Sequence, residues 1–274
     1  MNEARKLVAA AFLVLFGFHV PAWGALGDIV ASYKSPPQYP RALARSNAYL
    51  FAYCVDNSAT PPGWVFRLVP LSGRVVASFP LNHESATMYR GLTFTGPDNL
   101  WIGHSTDDRV YRLNAANGSV RSSWPVISGI IWGLAAEYDQ AGGGPVRGLW
   151  MSGANPVAAT CYSTTGSIKQ VFLWSTQTLD IGWDYNHDLL WGSVLKSVPY
   201  YVCGFTTEGS IVASFPSPAG GDEAIAGCAF YEGYLWLSAY RTQAGNEPYI
   251  WQVDVRDLTG VSPASLGRVK ALFR

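Results

Sequence analysis

GLTFTGPDNLWIGHSTDDRVYRLNAANGSVRSSW, residues 91–124, divides into four short runs separated by turn residues. GLTF is followed by the turn GPDN, LWIGH by a polar loop, RVYRL by Asn117-Gly118, and SVRSSW closes the set. Each run is rich in aromatic or β-branched residues, and each break carries the Gly, Pro, Asn or Asp that strand reversal demands. The stretch therefore predicts one four-stranded antiparallel unit.

The unit recurs along the chain. An aliphatic-aromatic pair marks its second strand at Leu50-Phe51, Leu100-Trp101, Leu149-Trp150, Leu190-Trp191 and Leu235-Trp236, five copies spaced 41 to 50 residues apart. That period is the one expected of propeller blades. First strands are expected to begin at Ala42, Gly91, Gly133, Gly182 and Gly227, where a small residue lets backbones crowd near an axis. Third strands fall at Val65–Leu68, Val110–Leu113 and Ile250–Val253, and fourth strands open at Gly73, Gly118, Gly166 and Gly209. The sequence predicts an all-β, five-bladed β-propeller of four-stranded antiparallel blades.

Two imperfections say how the ring closes. Gly27-Asp28-Ile29-Val30-Ala31-Ser32-Tyr33 matches Gly73–Phe79 and Gly209–Phe215 closely, yet no first three strands precede it. The fifth blade has clear strands near Gly227, Trp236 and Trp251, but its fourth, around Val261–Leu266, is broken by Pro263. The N-terminal strand is therefore expected to be the outer strand of the fifth blade, leaving no open seam. The propeller would span residues 25–258, with 259–274 as a C-terminal tail.

Residues 1–24 combine Arg5 and Lys6, an apolar run from Leu7 to Val20 and a small-x-small site at Ala22-Trp23-Gly24, the pattern of a secretory signal peptide. The apolar run is too short to favour a membrane span, and no cysteine near Gly24 offers a lipid attachment point. The expectation is a secreted or periplasmic protein without a membrane anchor. Aromatic and charged residues each make up 14%, and 28 Gly with 17 Pro supply turns for many strands, a composition of an ordered all-β domain. Without the signal the chain carries 17 basic and 18 acidic residues and no basic stripe, which argues against nucleic acid.

Four cysteines enter an oxidising compartment, so one or two disulfides are open to them. The repeat places Cys54 on a second strand, Cys161 and Cys203 on third strands of neighbouring blades, and Cys228 at a first-strand core position. At Cys228 the reading is a small buried hydrophobe. No CxxC is present, so no metal site and no cofactor are expected.

Alternating strand direction sorts the loops. The one-to-two and three-to-four connections share one face and are mostly tight. The other face collects the long ones, 56–63, 104–109, 153–159, 194–200 and 240–248 within blades and 81–90, 125–132 and 216–226 between them. Function concentrates on long loops held by a rigid scaffold, so this face is the expected binding face. Its candidate ligand-binding residues are Arg41, His83, Glu84, Arg90, His104, Asp107, Asp108, Trp132, Asp222, Glu223 and Arg241. Arg41, Arg90 and Trp132 stand just before first strands, where the chain points toward the axis, and Arg and Trp are strong binding anchors. Asp180, Asp222 and Glu223 are read as inter-blade loop residues around the same mouth. A His beside two carboxylates suits a metal or acid–base work, but the spacing here fits no defined ligand set. His187, between Asn186 and Asp188, belongs to a tight turn on the opposite face.

The repeated GL–F–G–DNLW–G and VYRLNAANGSV pattern resembles that of secreted bacterial propellers whose blades read Gly-Leu-x-x-Asp-Gly-x-x-Leu-Trp-Val and Tyr-x-Leu-Asp-x-x-x-Gly, a WD40-like repeat organisation. Within that group it is similar to the five-bladed glutaminyl cyclases of plants and bacteria, which carry Phe-Thr-Gln-Gly-Leu on a first strand and Leu-Tyr-Glu-Ser-Thr after it. The matching stretches here are Met88-Tyr89-Arg90-Gly91-Leu92 and Leu100-Trp101-Ile102-Gly103-His104. Arg90 stands for the family's Gln and Ile102 for its Glu, the acid suited to proton transfer. Glycosidase chemistry needs paired carboxylates, and the first strands offer only Glu137 and Asp184, toward the tight-turn end. The function expected is a non-enzymatic binding or interaction module for a protein, peptide or glycan, with no catalytic residues assigned. Cyclase-like, lyase-like and carbohydrate-active propellers are the alternatives.

Overall fold

The computed structural model describes residues 25–36, 39–55, 63–81, 89–96, 98–127, 130–138, 145–154, 157–174, 177–195, 200–220, 223–239 and 248–258. The expected signal at 1–24 and the expected tail at 259–274 lie outside them. The first blade consists of β2 (Tyr39–Arg45), β3 (Leu50–Val55), β4 (Gly63–Leu68) and β5 (Val75–Leu81). The second consists of β6 (Tyr89–Phe94), β7 (Asn99–His104), β8 (Arg109–Asn114) and β9 (Val120–Pro125). The third is built from β10 (Ile131–Tyr138), β11 (Val146–Ala154), β12 (Val157–Tyr162) and β13 (Ile168–Leu173). The fourth contains β14 (Gln177–Asp184), β15 (Leu189–Leu195), β16 (Tyr201–Phe205) and β17 (Ile211–Pro216). The fifth runs β18 (Ile225–Tyr231), β19 (Tyr234–Ala239), β20 (Tyr249–Asp254) and then β1 (Ile29–Lys34), the N-terminal strand. Every pairing is antiparallel, and the five first strands touch in a closed circle. The protein is a five-bladed β-propeller.

The closing strand obeys the same local rule as the other outer strands. Gly27, Gly73, Gly118, Gly166 and Gly209 precede β1, β5, β9, β13 and β17, and all have φ between 64° and 91°. A Cβ at each would strike an outer-strand aromatic of the preceding blade: Phe215, Tyr33, Phe79, Trp124 and Phe172 respectively. Only glycine supplies this conformation and this space at once. Tyr33 of β1 thus occupies the place that Phe79 or Trp124 fills elsewhere, which is why the N-terminal strand completes the ring.

First strands begin two to five residues earlier than the repeat predicts. Each carries a bulge where the register slips: at Arg41, Gly91, Trp132, Leu179-Asp180 and Ala226. An extra residue breaks the period-two alternation from which strands are read, and it re-aims side chains toward the axis. Close packing follows directly after it. A Cβ on Gly133 would lie 2.6 Å from the Asp180 Cα.

The Leu-Trp pairs form the core between blades. All five leucines have no exposed surface, and the aromatics that follow are at most 3% exposed. A buried indole usually finds an acceptor, and for three of the four tryptophans the end of the first strand supplies it: Trp101 Nε1 donates to Thr95 Oγ1 at 2.7 Å, Trp150 to Glu137 Oε2 at 2.8 Å, and Trp191 to Asp184 Oδ2 at 3.1 Å, whereas Trp236 Nε1 is buried without one. Neighbouring blades are stitched by serines after the second-strand aromatic. Ser105 Oγ donates to Ile131 O, Ser152 Oγ to Leu179 O, and Ser238 Oγ to Pro40 O, while Ser193 Oγ accepts from Ile225 N. Ser152→Ala would leave the Leu179 carbonyl unsatisfied in the dry centre. A loss of about 1–2 kcal/mol in urea unfolding is expected, and no measurable loss would show that the stitch carries no energy.

The disulfides open to the sequence do not form. Cys54, Cys161, Cys203 and Cys228 are all free and buried. They stand on β3, β12, β16 and β18, each within a different blade. Burial pushes the Cys161 and Cys203 thiols up to about 12 and raises the other two as well, so none is poised as a thiolate.

Candidate functional site

The axis is organised by one carboxylate. Asp180, at the bulge of β14, is wholly buried and accepts four backbone N–H groups from three blades besides its own strand. Cys228 N donates to Oδ2 at 2.9 Å and Leu43 N at 3.4 Å, while Ile181 N donates to Oδ1 at 3.0 Å and Leu134 N at 3.3 Å. Burial pushes its pKa well above the ordinary carboxylate range, outweighing the lowering by the four N–H groups. Sequence reading put Asp180 on an inter-blade loop; it lies inside a strand because the bulge hid that strand's beginning. Its role is to tie first strands together.

Toward the long loops, the structure brings several candidates into one cluster. Trp132 projects from the bulge of β10, and the Arg90 guanidinium lies 4.7 Å over its ring. The Trp132 indole N–H is buried and has no acceptor. Arg41 comes from the bulge of β2, and both Arg41 and Arg90 are near enough to the Tyr53 hydroxyl to lower its pKa, although burial keeps that phenol raised. Tyr53 packs edge-on against Tyr89 at 5.8 Å, and Tyr89 packs against the His104 ring at 4.5 Å.

The structure brings His104 and Asp107 into contact, with His104 fully enclosed. Its Nδ1 accepts from the Asp107 N–H at 3.2 Å and lies 3.3 Å from Asp107 Oδ1. Tyr111 donates to Asp107 Oδ2 at 2.7 Å, and burial, helped by this bond, lifts its hydroxyl to about 12. The group braces a turn. Asp108 takes φ +48° there, and its carbonyl receives Val126 N. Arg109 turns away to Ser123 Oγ at 2.9 Å. Glu223 precedes β18, with its carbonyl accepting from Ser217 Oγ at 3.0 Å. His83, Glu84, Asp222 and Arg241 lie outside the described residues. Among the described residues, no group of three or more His, Cys, Asp or Glu is placed to hold a metal ion.

At the tight-turn end the axis opens into a cavity of about 410 Å³ lined by the second halves of all five first strands and the turns beside them. The donors to Asp180 at Leu43, Leu134, Ile181 and Cys228 are among its lining, so the carboxylate marks its closed end. Sequence reading did not single this end out, because its walls are backbone and core residues rather than loop residues. Glu137 and Asp184 are also at this end but are committed elsewhere. Glu137 holds Trp150 and Arg147 Nε, the latter at 3.1 Å, and Asp184 holds Trp191 and His187 Nδ1, the latter at 2.9 Å.

No protein-family model matches the chain, and no curated protein matches it. Among solved structures it is similar to glutaminyl cyclase from Myxococcus xanthus, with a TM-score of 0.63 and 14% identity over 84% of this chain and 97% of that one. Streptogramin B lyase aligns with a TM-score of 0.48 and 13% identity, covering 82% of this chain and 98% of that one. Virginiamycin B lyase from Staphylococcus aureus gives 0.46 and 14%, covering 82% and 88%. At such identities the likeness to the cyclase is one of fold.

Proposed function

We propose that the protein is an exported, non-enzymatic propeller that binds a protein, peptide or glycan through its long-loop face. The observation that carries this reading is the Arg90–Trp132 stack at the axial mouth. It presents a planar cation and a buried indole N–H that has no acceptor of its own. A buried donor without a partner costs free energy that an incoming acceptor recovers, and Arg and Trp are both enriched at binding hot spots. Arg41 adds a second positive group at the same rim, so an acceptor-rich ligand is favoured. Transfer of cyclase chemistry is not favoured: where the resemblance calls for a proton-transferring Glu, Ile102 is enclosed in the apolar core.

Glycan and peptide arrays probed with the full-length chain will identify ligands. Against such a ligand, Arg90→Ala and Trp132→Ala are each expected to weaken binding at least about ten-fold while the melting temperature stays nearly unchanged. Normal binding by both variants, with loss of binding on changing the turns at Asn186 and Glu232, would place the function on the other face. Ammonia release from an N-terminal Gln peptide would establish the cyclase reading instead.

A further inference from the structure

The axial cavity at the tight-turn end is closed off from the long-loop mouth by the Asp180 knot, so it is a separate compartment. Its volume of about 410 Å³ lies within the range of sites that enclose small molecules. Its walls mix polar and apolar residues and include four aromatic rings. Phe51 and Phe94 stack at 5.5 Å, and Tyr185 meets Phe230 edge-on at 4.9 Å, with all four lining the cavity.

Two arginines of the first blade complete the lining, and one tyrosine organises both. Arg45 Nη1 donates to Tyr49 O at 3.3 Å, and the Arg67 guanidinium lies 4.7 Å over the Tyr49 ring. Arg45 also rests 4.3 Å over the ring of Tyr231. Both side chains are half-buried, and the Nε atom of each is buried with no hydrogen-bond partner. Among the described residues neither guanidinium makes an ion pair; the Glu232 carboxylate acts on Arg45 only from a distance, and Asp98, the carboxylate among the lining residues, is exposed. Stacking on aromatic faces holds a guanidinium in place without using its N–H donors, so Arg67 keeps its fork for a ligand and Arg45 keeps the donors other than the one given to Tyr49 O. Two cations with unsatisfied buried donors beside a cavity that two pairs of aromatic rings help to line suit an anionic group carried on a planar apolar body.

We infer that this cavity is a second binding site, for a small aromatic carboxylate whose ring enters between the Phe51–Phe94 and Tyr185–Phe230 walls and whose carboxylate is held by Arg45 and Arg67. The inference is independent of the long-loop reading and does not need it to be right.

Calorimetric titration of the full-length chain with indole-3-acetate, and with its neutral twin indole-3-acetamide, tests it. The acid is expected to bind about ten-fold or more tightly than the amide, as charge-assisted hydrogen bonds require. Arg67→Gln is expected to remove that preference while the amide binds as before, which also shows that the cavity is intact. Arg45→Gln should act in the same direction, and exposed Arg74→Gln should change nothing. Arg90→Ala should leave indole-3-acetate binding untouched, so failure at one face is distinguishable from failure at the other. Equal affinity for acid and amide, an unchanged acid preference in Arg67→Gln, or no binding of either below about 1 mM would overturn the proposal.

Discussion

Asp180→Ala is expected to lower the unfolding free energy by about 3–5 kcal/mol, because it leaves four backbone N–H groups in the dry centre without an acceptor. Three of the four belong to other blades, so the loss falls on blade-to-blade association rather than on one sheet. Asp180→Asn keeps a carbonyl for two donors and turns an NH2 toward the rest, so an intermediate loss is expected. Urea unfolding followed by tryptophan fluorescence measures both, and a change below about 1 kcal/mol for Ala would refute the role. The pH dependence has a definite sign. Burial raises the folded carboxyl above its unfolded value, so this group's contribution is complete below about pH 4 and fades as pH rises through the raised folded value. The gap between wild type and Asp180→Ala should therefore be widest at the acid end and narrow upward.

Deleting residues 25–35 is expected to abolish cooperative folding of the fifth blade and cost on the order of 5 kcal/mol, a large share of a domain's stability. β1 pairs with β20 from Ile29↔Val253 to Lys34↔Tyr249, and further bonds join Gly27 N to Asp254 O and Ser35 N to Pro248 O. The deletion also removes Tyr33, whose ring stands 6.4 Å from that of Trp236 and covers Gly73 of the first blade. β20 would then present a bare edge, and the chain should self-associate. Size-exclusion chromatography would show the aggregation, and a synthetic peptide of residues 25–36 added during refolding should restore the monomer. A truncated chain that stays monomeric with an unchanged melting temperature would sink the argument.

Much of this fold is legible in the sequence because three signals agree: the Leu-Trp pairs, the glycines before outer strands, and the orphan strand at Gly27–Tyr33. What escapes is whatever departs from period two. The bulges at Arg41, Gly91, Trp132, Asp180 and Ala226 interrupt alternation, so first strands are read as starting too late and Asp180 is read as a loop residue. Arg90, Trp132, His104 and Asp107 could be named from their positions before or after strands, but the burial of His104 could not, since it depends on Tyr89 and Tyr111 from flanking strands. Arg45 and Arg67 carry no local mark. Arg45 ends β2 and Arg67 is the last residue but one of β4, positions where an arginine ordinarily reads as solvated surface, and only Tyr49 and Tyr231 reveal that both are held against the axial cavity.

The exchange of the first strand into the last blade also sets an order of events during synthesis. β1 emerges before any other strand, yet its partner Val253 is among the last described residues to be made. Until then the strand has no sheet to join, and four complete blades can assemble while the ring stays open. Closure is the longest-range strand pairing among the described residues, and such pairings are slow because chain ends must find each other against loop entropy. The period between completion of β20 and capture of β1 is thus the interval in which a nascent chain is most exposed to capture by another copy's first strand. A molecule closed by its neighbour's β1 would have the same five blades and the same contacts, differing only in which chain supplied the latch.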